Sequence, residues 1–247
     1  MITYKSEREI DLMKIAGNIL KSTRDLLVSS AKIGVSTKDL DEIARNYILS
    51  QNATPSFLNY DGFPASICTS INEVIIHGIP NSKDILKSGD ILSIDIGVCY
   101  KGYHADSAIT VPIGKVSDEL LKLLEVTEKS LLEGIKQAKP GNYIGDISKA
   151  VEDTIKPYGY GIIEEYGGHG IGKNLHEDPH ISNFYYGLRG ALLKPGMVIC
   201  IEPMVALGKK EIFEKRNEWI VKTKDKKPCA HFEHMIAITK DGNEILT

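Results

Sequence analysis

The sequence predicts an α+β fold assembled from two similar halves, and three observations carry that prediction. First, helical and strand patterns are segregated within each half instead of alternating, which argues against a parallel βαβ sheet. Second, LKSGDILSID (86–95) matches LKPGMVICIE (193–202) at a constant offset of 107 positions, and the same offset aligns Gly34 with Gly141, Asp39 with Asp146 and Leu40 with Ile147. A repeat of that length is too long for a solenoid and points to two units facing each other across a pseudo-twofold axis. Third, DILSIDIGVCYKGYHADSAIT (90–110) reads as two apolar strands around a Tyr100-Lys101-Gly102 turn, with one aspartate inside each arm. A carboxylate in an apolar strand is costly unless it is paired or holds a metal.

In chain order, Ser6 caps a first helix and Glu9 completes a capping box. Ile10, Met13, Ile15, Ile19, Leu20, Leu26 and Leu27 give that helix an apolar face, and Gly34 ends the segment. Ser36 or Thr37 caps a second helix, with Leu40, Ile43, Ala44 and Tyr47 inward. Residues 52–64 form a loop rich in turn formers and aromatics. Residues 67–79 read as a strand, a turn at Ile71-Asn72-Glu73 and a second apolar run ending at His77-Gly78. After the 90–110 hairpin, a leucine-rich helix is predicted over 117–137, including Leu121 and Leu132, and Pro140-Gly141 stops it. Residues 146–155 repeat the second helix. A glycine-rich stretch (160–173) and a long loop to 188 precede strands at 197–206, 218–223 and 232–239, the last closed by an Asp241-Gly242 turn. Nothing resembles a linker, so a single domain over 1–247 is expected, with halves at 1–115 and 116–247.

Composition narrows the function. Hydrophobic content of 42% and charged content of 26% are those of an ordinary globular chain. A formal net charge of −3 gives no global case for binding nucleic acid or an anionic membrane. No apolar run is long enough to span a bilayer, and the charged start MITYKSEREIDLMK lacks a signal-peptide core. Cys68, Cys99, Cys200 and Cys229 form no C-x-x-C pair, which predicts free thiols in a reducing cytoplasm and excludes a zinc ribbon.

Two motifs mislead. HEDPH (176–180) matches the zincin H-E-x-x-H, but Pro179 inside it opposes the helix that would align both histidines, so a loop is expected. GGHGIGKN (167–174) nearly matches a phosphate loop, but it ends in Asn174 without a hydroxyl for Mg²⁺. Its glycines fit a backbone passing close to a site.

The unusual polar residues are Asp95, Asp106, His169, Glu202 and Glu233. The four acids all interrupt apolar runs. The repeat pairs Asp95 with Glu202, and strand order suggests that Asp106 corresponds to Glu233. Four carboxylates converging in apolar surroundings cannot all stay ionised without compensating positive charge. Two divalent cations would supply it, and an oxygen-rich set with one imidazole favours Mn²⁺, Fe²⁺ or Co²⁺ over a thiolate zinc site.

NEVIIHGIP (72–80), SIDIG and YHADSA (93–108), GHGIG and LHEDP (168–179), CIEPM (200–204) and HFEHM (231–235) resemble, in that order, the type I methionine aminopeptidase family. The resemblance covers essentially the whole chain. It implies the pita-bread fold, a single catalytic domain whose pseudosymmetric halves enclose a dinuclear centre of Mn²⁺, Fe²⁺, Co²⁺ or Zn²⁺. By motif, Asp95 would chelate one ion, Asp106 and Glu233 would bridge both, and His169 and Glu202 would hold the other. The implied reaction removes the initiator methionine before a small second residue, by attack of a metal-bridging hydroxide on the first peptide bond. Glu202 would also accept a proton from the attacking water. His176 would stabilise the oxyanion, and His77 would contact the scissile amide. Tyr60, Phe63, Cys68 and Trp219 would line the methionine pocket.

Three residues depart from the family pattern: Phe63 where tyrosine is frequent, Leu175 where an aromatic is frequent, and Met235 where threonine is usual. The implied partners are Met-Xaa peptides and nascent chains, with the ribosome left open, and the implied state is a cytoplasmic monomer. The family's N-terminal extension is expected to be absent. Two other readings share the fold. Proline-specific peptidases carry a large N-terminal domain for which this chain has no room. Non-catalytic modules have lost their metal ligands, whereas all five are present here.

Overall fold

The computed structural model describes residues 1–215 and 218–247. Helices α1 (Glu7–Ser30) and α2 (Thr37–Ser50) open the chain. Strands β1 (Thr54–Pro55), β2 (Ile67–Ile71) and β3 (Val74–Ile76) precede the long hairpin of β4 (Ile91–Tyr100) and β5 (Tyr103–Pro112). Helices α3 (Asp118–Gln137) and α4 (Ile144–Ile155) begin the second half, followed by β6 (Gly161–Ile162), β7 (Gly167–Gly170), β8 (Glu177–Ser182), β9 (Val198–Ile201) and β10 (Met204–Ala206). The chain closes with β11 (Ile212–Glu214), β12 (Val221–Thr223), β13 (Cys229–His231), β14 (His234–Ile238) and β15 (Asn243–Ile245). Every ladder among the described strands is antiparallel, as the α+β prediction requires. No described helix is long and apolar enough to cross a membrane.

The helix starts follow from capping chemistry. Glu9 accepts the Ser6 N–H at 2.8 Å, Asp39 accepts the Ser36 N–H at 2.9 Å, and Asp146 accepts the Tyr143 N–H at 2.7 Å. Each carboxylate satisfies a donor that the helix itself leaves free. In α1 the buried stripe includes Met13, Leu20 and Leu27, seven residues apart. Ile15 and Leu26, expected to face inward, are exposed, as are Leu121 and Leu132 of α3. At roughly 100° per residue, a position one or two away from the stripe turns towards solvent.

The 107-residue repeat is visible in the backbone. Gly34 and Gly141 both have φ of +90°, and Gly89 and Gly196 have φ of +100° and +90°, a region that only glycine enters without strain. The isolated bridge Ser36↔Ile85 recurs as Tyr143↔Leu192. The Leu86 N–H donates to Val35 O at 2.9 Å, and its equivalent, the Leu193 N–H, donates to Asn142 O at 2.8 Å.

Strand register corrects one expected equivalence. In the first half, Asp95 lies opposite Ala108 and Gly97 opposite Asp106. In the second half, Ile201 lies opposite His234 and Met204 opposite His231. The counterpart of Asp106 is therefore His231, and Glu233 takes the place of Ala108. The expected strands 197–206 and 232–239 are each interrupted, at Glu202-Pro203 and at Phe232-Glu233, where carboxylates leave the ladder to enter the site.

Within the glycine-rich stretch, for which the sequence gives no strand, Gly167–Gly170 form β7, wedged between β8 and β9. HEDPH belongs mainly to strand β8 rather than to a helix or the expected loop, and its Asp178-Pro179 peptide is cis. A Cβ on Gly168 would lie 2.1 Å from Cys200 O, and one on Gly170 would lie 2.1 Å from Asp178 O. These close approaches demand glycine, and glycine's missing side chain erases the strand signal. Gly168→Ala should lower the unfolding free energy by about 3 kcal/mol, the upper end of overpacking costs, because backbone oxygens cannot step aside. Urea unfolding tests this. A change below about 0.5 kcal/mol, the level of an ordinary surface substitution, would refute the close-approach argument.

The two halves are stitched along one seam. The Glu233 N–H donates to Ala108 O at 2.9 Å. Ser107 Oγ donates to Glu233 O at 2.7 Å, and Thr110 Oγ1 donates to His231 O at 2.8 Å. The core under α1 and α2 includes Val198, Cys200 and Met235, while the core under α3 and α4 includes Ile91. The site lies along this seam.

Candidate active site

The seam brings all five expected metal ligands together. Ligand atoms of Asp95, Asp106 and Glu233 lie within 4.8 Å of one another, as do those of Glu202, His231 and Glu233, and those of His169, Cys200 and Glu233. Glu233 is common to all three groups. Asp106 Oδ2 is 3.9 Å and Glu202 Oε1 is 3.6 Å from His169 Nε2. The His169 ring is oriented by its other nitrogen, since Nδ1–H donates to Gly170 O at 2.8 Å. That bond leaves the Nε2 lone pair free and facing the carboxylates.

Charge decides what the cluster can hold. No lysine or arginine lines the cleft among the described residues. Asp95 Oδ1, Asp106 Oδ1, Glu233 Oε1 and His231 Nε2 are buried without a hydrogen-bond partner. Orphaned buried acceptors are destabilising unless something absent from the protein itself satisfies them. The donor set, four carboxylates with imidazole, fits divalent cations. Burial raises the Asp95 carboxyl. Burial and the neighbouring carboxylates push Asp106, Glu202 and Glu233 well above the ordinary range. Burial pushes His169 down to about 3, so its imidazole is neutral and ready to ligate.

These shifts set the sign of a pH effect. With folded-state values above the ordinary 3.8 and 4.5, the native protein holds more protons than the unfolded chain from that range upward. Stability of the metal-free protein therefore falls as pH rises through this window. Measured against Glu233→Gln, which lacks one of the raised carboxyls, metal-free wild type should lose melting midpoint as pH rises from 4.5. The comparison cancels the buried histidines, whose lowered values act in the opposite sense. Saturating metal, which requires the ionised carboxylates, should shrink or reverse the difference. A wild-type midpoint that gains on that of the variant as pH rises would contradict the assignment.

Above the cluster a cleft of about 540 Å³ opens, lined by Tyr60, Phe63, Cys68, His77, Leu175, His176 and Trp219 among others. That volume lies in the range of small-ligand sites. His176 stands at its exposed mouth, with its ring 4.4 Å from that of His169. Its Nδ1 is hydrogen-bonded to Tyr60 OH at 2.8 Å. With the phenol donating to Nδ1, Nε2 carries the proton and becomes a donor towards the cleft. Glu177, the next residue, is held by Lys5 Nζ at 2.8 Å in a pair with both side chains buried. This anchors the His176 loop to the N-terminal segment.

His77 sits at φ of +58°, a strained conformation for a side-chain-bearing residue that persists where surroundings impose it. Its loop is clamped to β2, with the Thr69 N–H donating to Gly78 O at 2.8 Å. The ring packs edge-on to Trp219 and Tyr166, at 5.9 and 6.0 Å. Burial pushes His77 down to about 4, leaving it neutral. Phe63 packs edge-on to Trp219 at 5.3 Å, and Cys68 is buried beside them. Of the three departures from the family pattern, Phe63 and Leu175 line the cleft. Met235 is fully buried in the first core and does not line it.

Sequence reasoning missed His231, Tyr166 and the Lys5–Glu177 pair. The available signal for His231 was a ligating residue type two positions before Glu233, inside the HFEHM motif. The Lys5–Glu177 pair joins positions 172 apart and left no local signal.

The metallopeptidase family M24 model matches residues 11–240. Methionine aminopeptidase 1 of Bacillus subtilis is 49% identical over 247 residues, covering 100% of this chain and 99% of that protein. The crystal structure of methionine aminopeptidase from Rickettsia prowazekii superposes with a TM-score of 0.97 at 40% identity, covering both chains fully. Prolidase from Pyrococcus furiosus shares the fold with a TM-score of 0.81 at 24% identity, over 99% of this chain and 65% of that one.

Proposed function

The chain belongs to metallopeptidase family M24, and from that premise we propose that it is a metal-dependent aminopeptidase that removes N-terminal methionine from peptides and nascent proteins. The observation that carries the reading is the set of four buried or half-buried carboxylates without a lysine or arginine partner in the cleft, converging with His169 beneath a wall of Tyr60, Phe63 and Trp219. We assign one catalytic unit to residues 1–247. Asp95, Asp106, His169, Glu202 and Glu233 would hold two divalent ions, of the Mn²⁺, Fe²⁺, Co²⁺ or Zn²⁺ class. Bound there, such ions polarise the scissile carbonyl and make water acidic enough to attack near neutral pH.

The chain's own residues supply the rest. Glu202, whose carboxylate lines the cleft beside His169, takes the proton from the attacking water. The Nε2–H of His176 donates to the carbonyl oxygen as negative charge develops there. His77, neutral and held in place, orients the scissile amide. Phe63, Trp219, Cys68 and Tyr60 form the wall against which an unbranched thioether side chain packs. One chain carries every proposed residue, so a monomer is sufficient.

The deciding experiment follows free methionine from a Met-Ala-Ser peptide, using metal-stripped protein with added Mn²⁺, Fe²⁺ or Co²⁺ and a Xaa-Pro peptide as control. Metal-dependent methionine release with an inert control supports the reading and ranks the metals. Cleavage of the Xaa-Pro peptide alone would move the chain to proline-specific chemistry.

A further inference from the structure

We propose that His231 is a sixth ligand of the metal centre, its Nε2 coordinating the ion that Glu202 and Glu233 hold; this rests on the metal-dependent reading above. Four observations point there. His231 Nε2 is fully buried and has no hydrogen-bond partner. It lies 3.5 Å from Glu202 Oε2, while His169 Nε2 lies 3.6 Å from Glu202 Oε1, so one carboxylate is flanked by two imidazole nitrogens. Its ligand atom falls within the same 4.8 Å group as those of Glu202 and Glu233. Finally, the hairpin register places His231 opposite Met204 as it places Asp106 opposite Gly97, so the pseudo-twofold puts a ligating residue type at both equivalent positions.

A structural role accounts for these facts less well. A buried imidazole kept for packing would donate or accept at both nitrogens, because an unmet polar atom is destabilising. The backbone N–H of His231 is already satisfied by Thr110 Oγ1 at 2.8 Å and its carbonyl by the same hydroxyl, so the main chain is fixed and the ring is left aimed at the carboxylates. A second imidazole has a chemical consequence. Nitrogen ligation strengthens along the series from Mn²⁺ to Co²⁺, so it tilts the site towards Co²⁺ or Zn²⁺ and away from Mn²⁺.

The test needs no variant at first. Cobalt K-edge absorption of the wild-type protein loaded with one equivalent of Co²⁺ counts coordinated imidazoles. Two per ion are expected, and one would overturn the inference while leaving the metal-dependent reading intact. Failure to bind Co²⁺ at all would overturn both. Calorimetry of His231→Gln should then show Co²⁺ affinity weakened at least about tenfold and discrimination against Mn²⁺ reduced. A folded variant with an unchanged Co²⁺ isotherm but lower turnover would make His231 a positioning residue for Glu202 and overturn the proposal.

Discussion

Asp106→Asn is expected to lower kcat/KM for methionine release by at least about a thousand-fold while the protein stays folded. Loss of Lewis-acid stabilisation worth several kcal/mol corresponds to that factor, at about 1.36 kcal/mol per decade. The fold should survive because Asp106 makes no stabilising contact with its buried Oδ1 and is repelled by Glu233, Asp95 and Glu202. Removing one of four mutually repelling, uncompensated carboxylates relieves that repulsion. The metal-free variant should therefore melt no lower than metal-free wild type, and its stability should depend less steeply on pH. Metal stoichiometry by calorimetry should fall at the same time. Undiminished turnover would sink the metal-ligand role proposed for Asp106. A collapsed melting temperature would show that the carboxylate is structural.

His176→Ala is expected to lower kcat by about 10²–10³-fold with little change in KM, the loss seen when one oxyanion donor is removed. Its geometry makes the role specific. Tyr60 fixes one ring nitrogen, and the pair Lys5–Glu177 fixes the loop beside it, so the other nitrogen is presented at a defined position. Tyr60→Phe should cost less, because the imidazole remains but its tautomer is no longer enforced. His176→Gln, which keeps an N–H donor, should recover part of the loss. A change confined to KM would place His176 in ground-state binding instead.

Both predictions start from residues visible in the sequence, and it is instructive which features were. Asp95, Asp106, Glu202 and Glu233 stood out because an acid inside an apolar strand contradicts its surroundings, and that conflict is local. The capping residues Ser6, Glu9, Ser36 and Asp39 were legible for the same reason, since a cap acts within one turn. The glycine-rich β7 was not legible as a strand. Its pairing depends on two neighbours far away in the chain, and its own residues carry no side-chain pattern.

By itself the sequence determined the α+β class, the two-half plan and the identity of the five carboxylate and imidazole residues. Periodicity, capping and the 107-residue repeat are properties of neighbours or of directly comparable segments. Only the tertiary structure decided the register that equates Asp106 with His231, the breaks that turn Glu202 and Glu233 inward, and the hold of Lys5 on Glu177. Those depend on which strands meet across the seam between the halves. A ladder shifted by a single residue would carry every side chain to the opposite face.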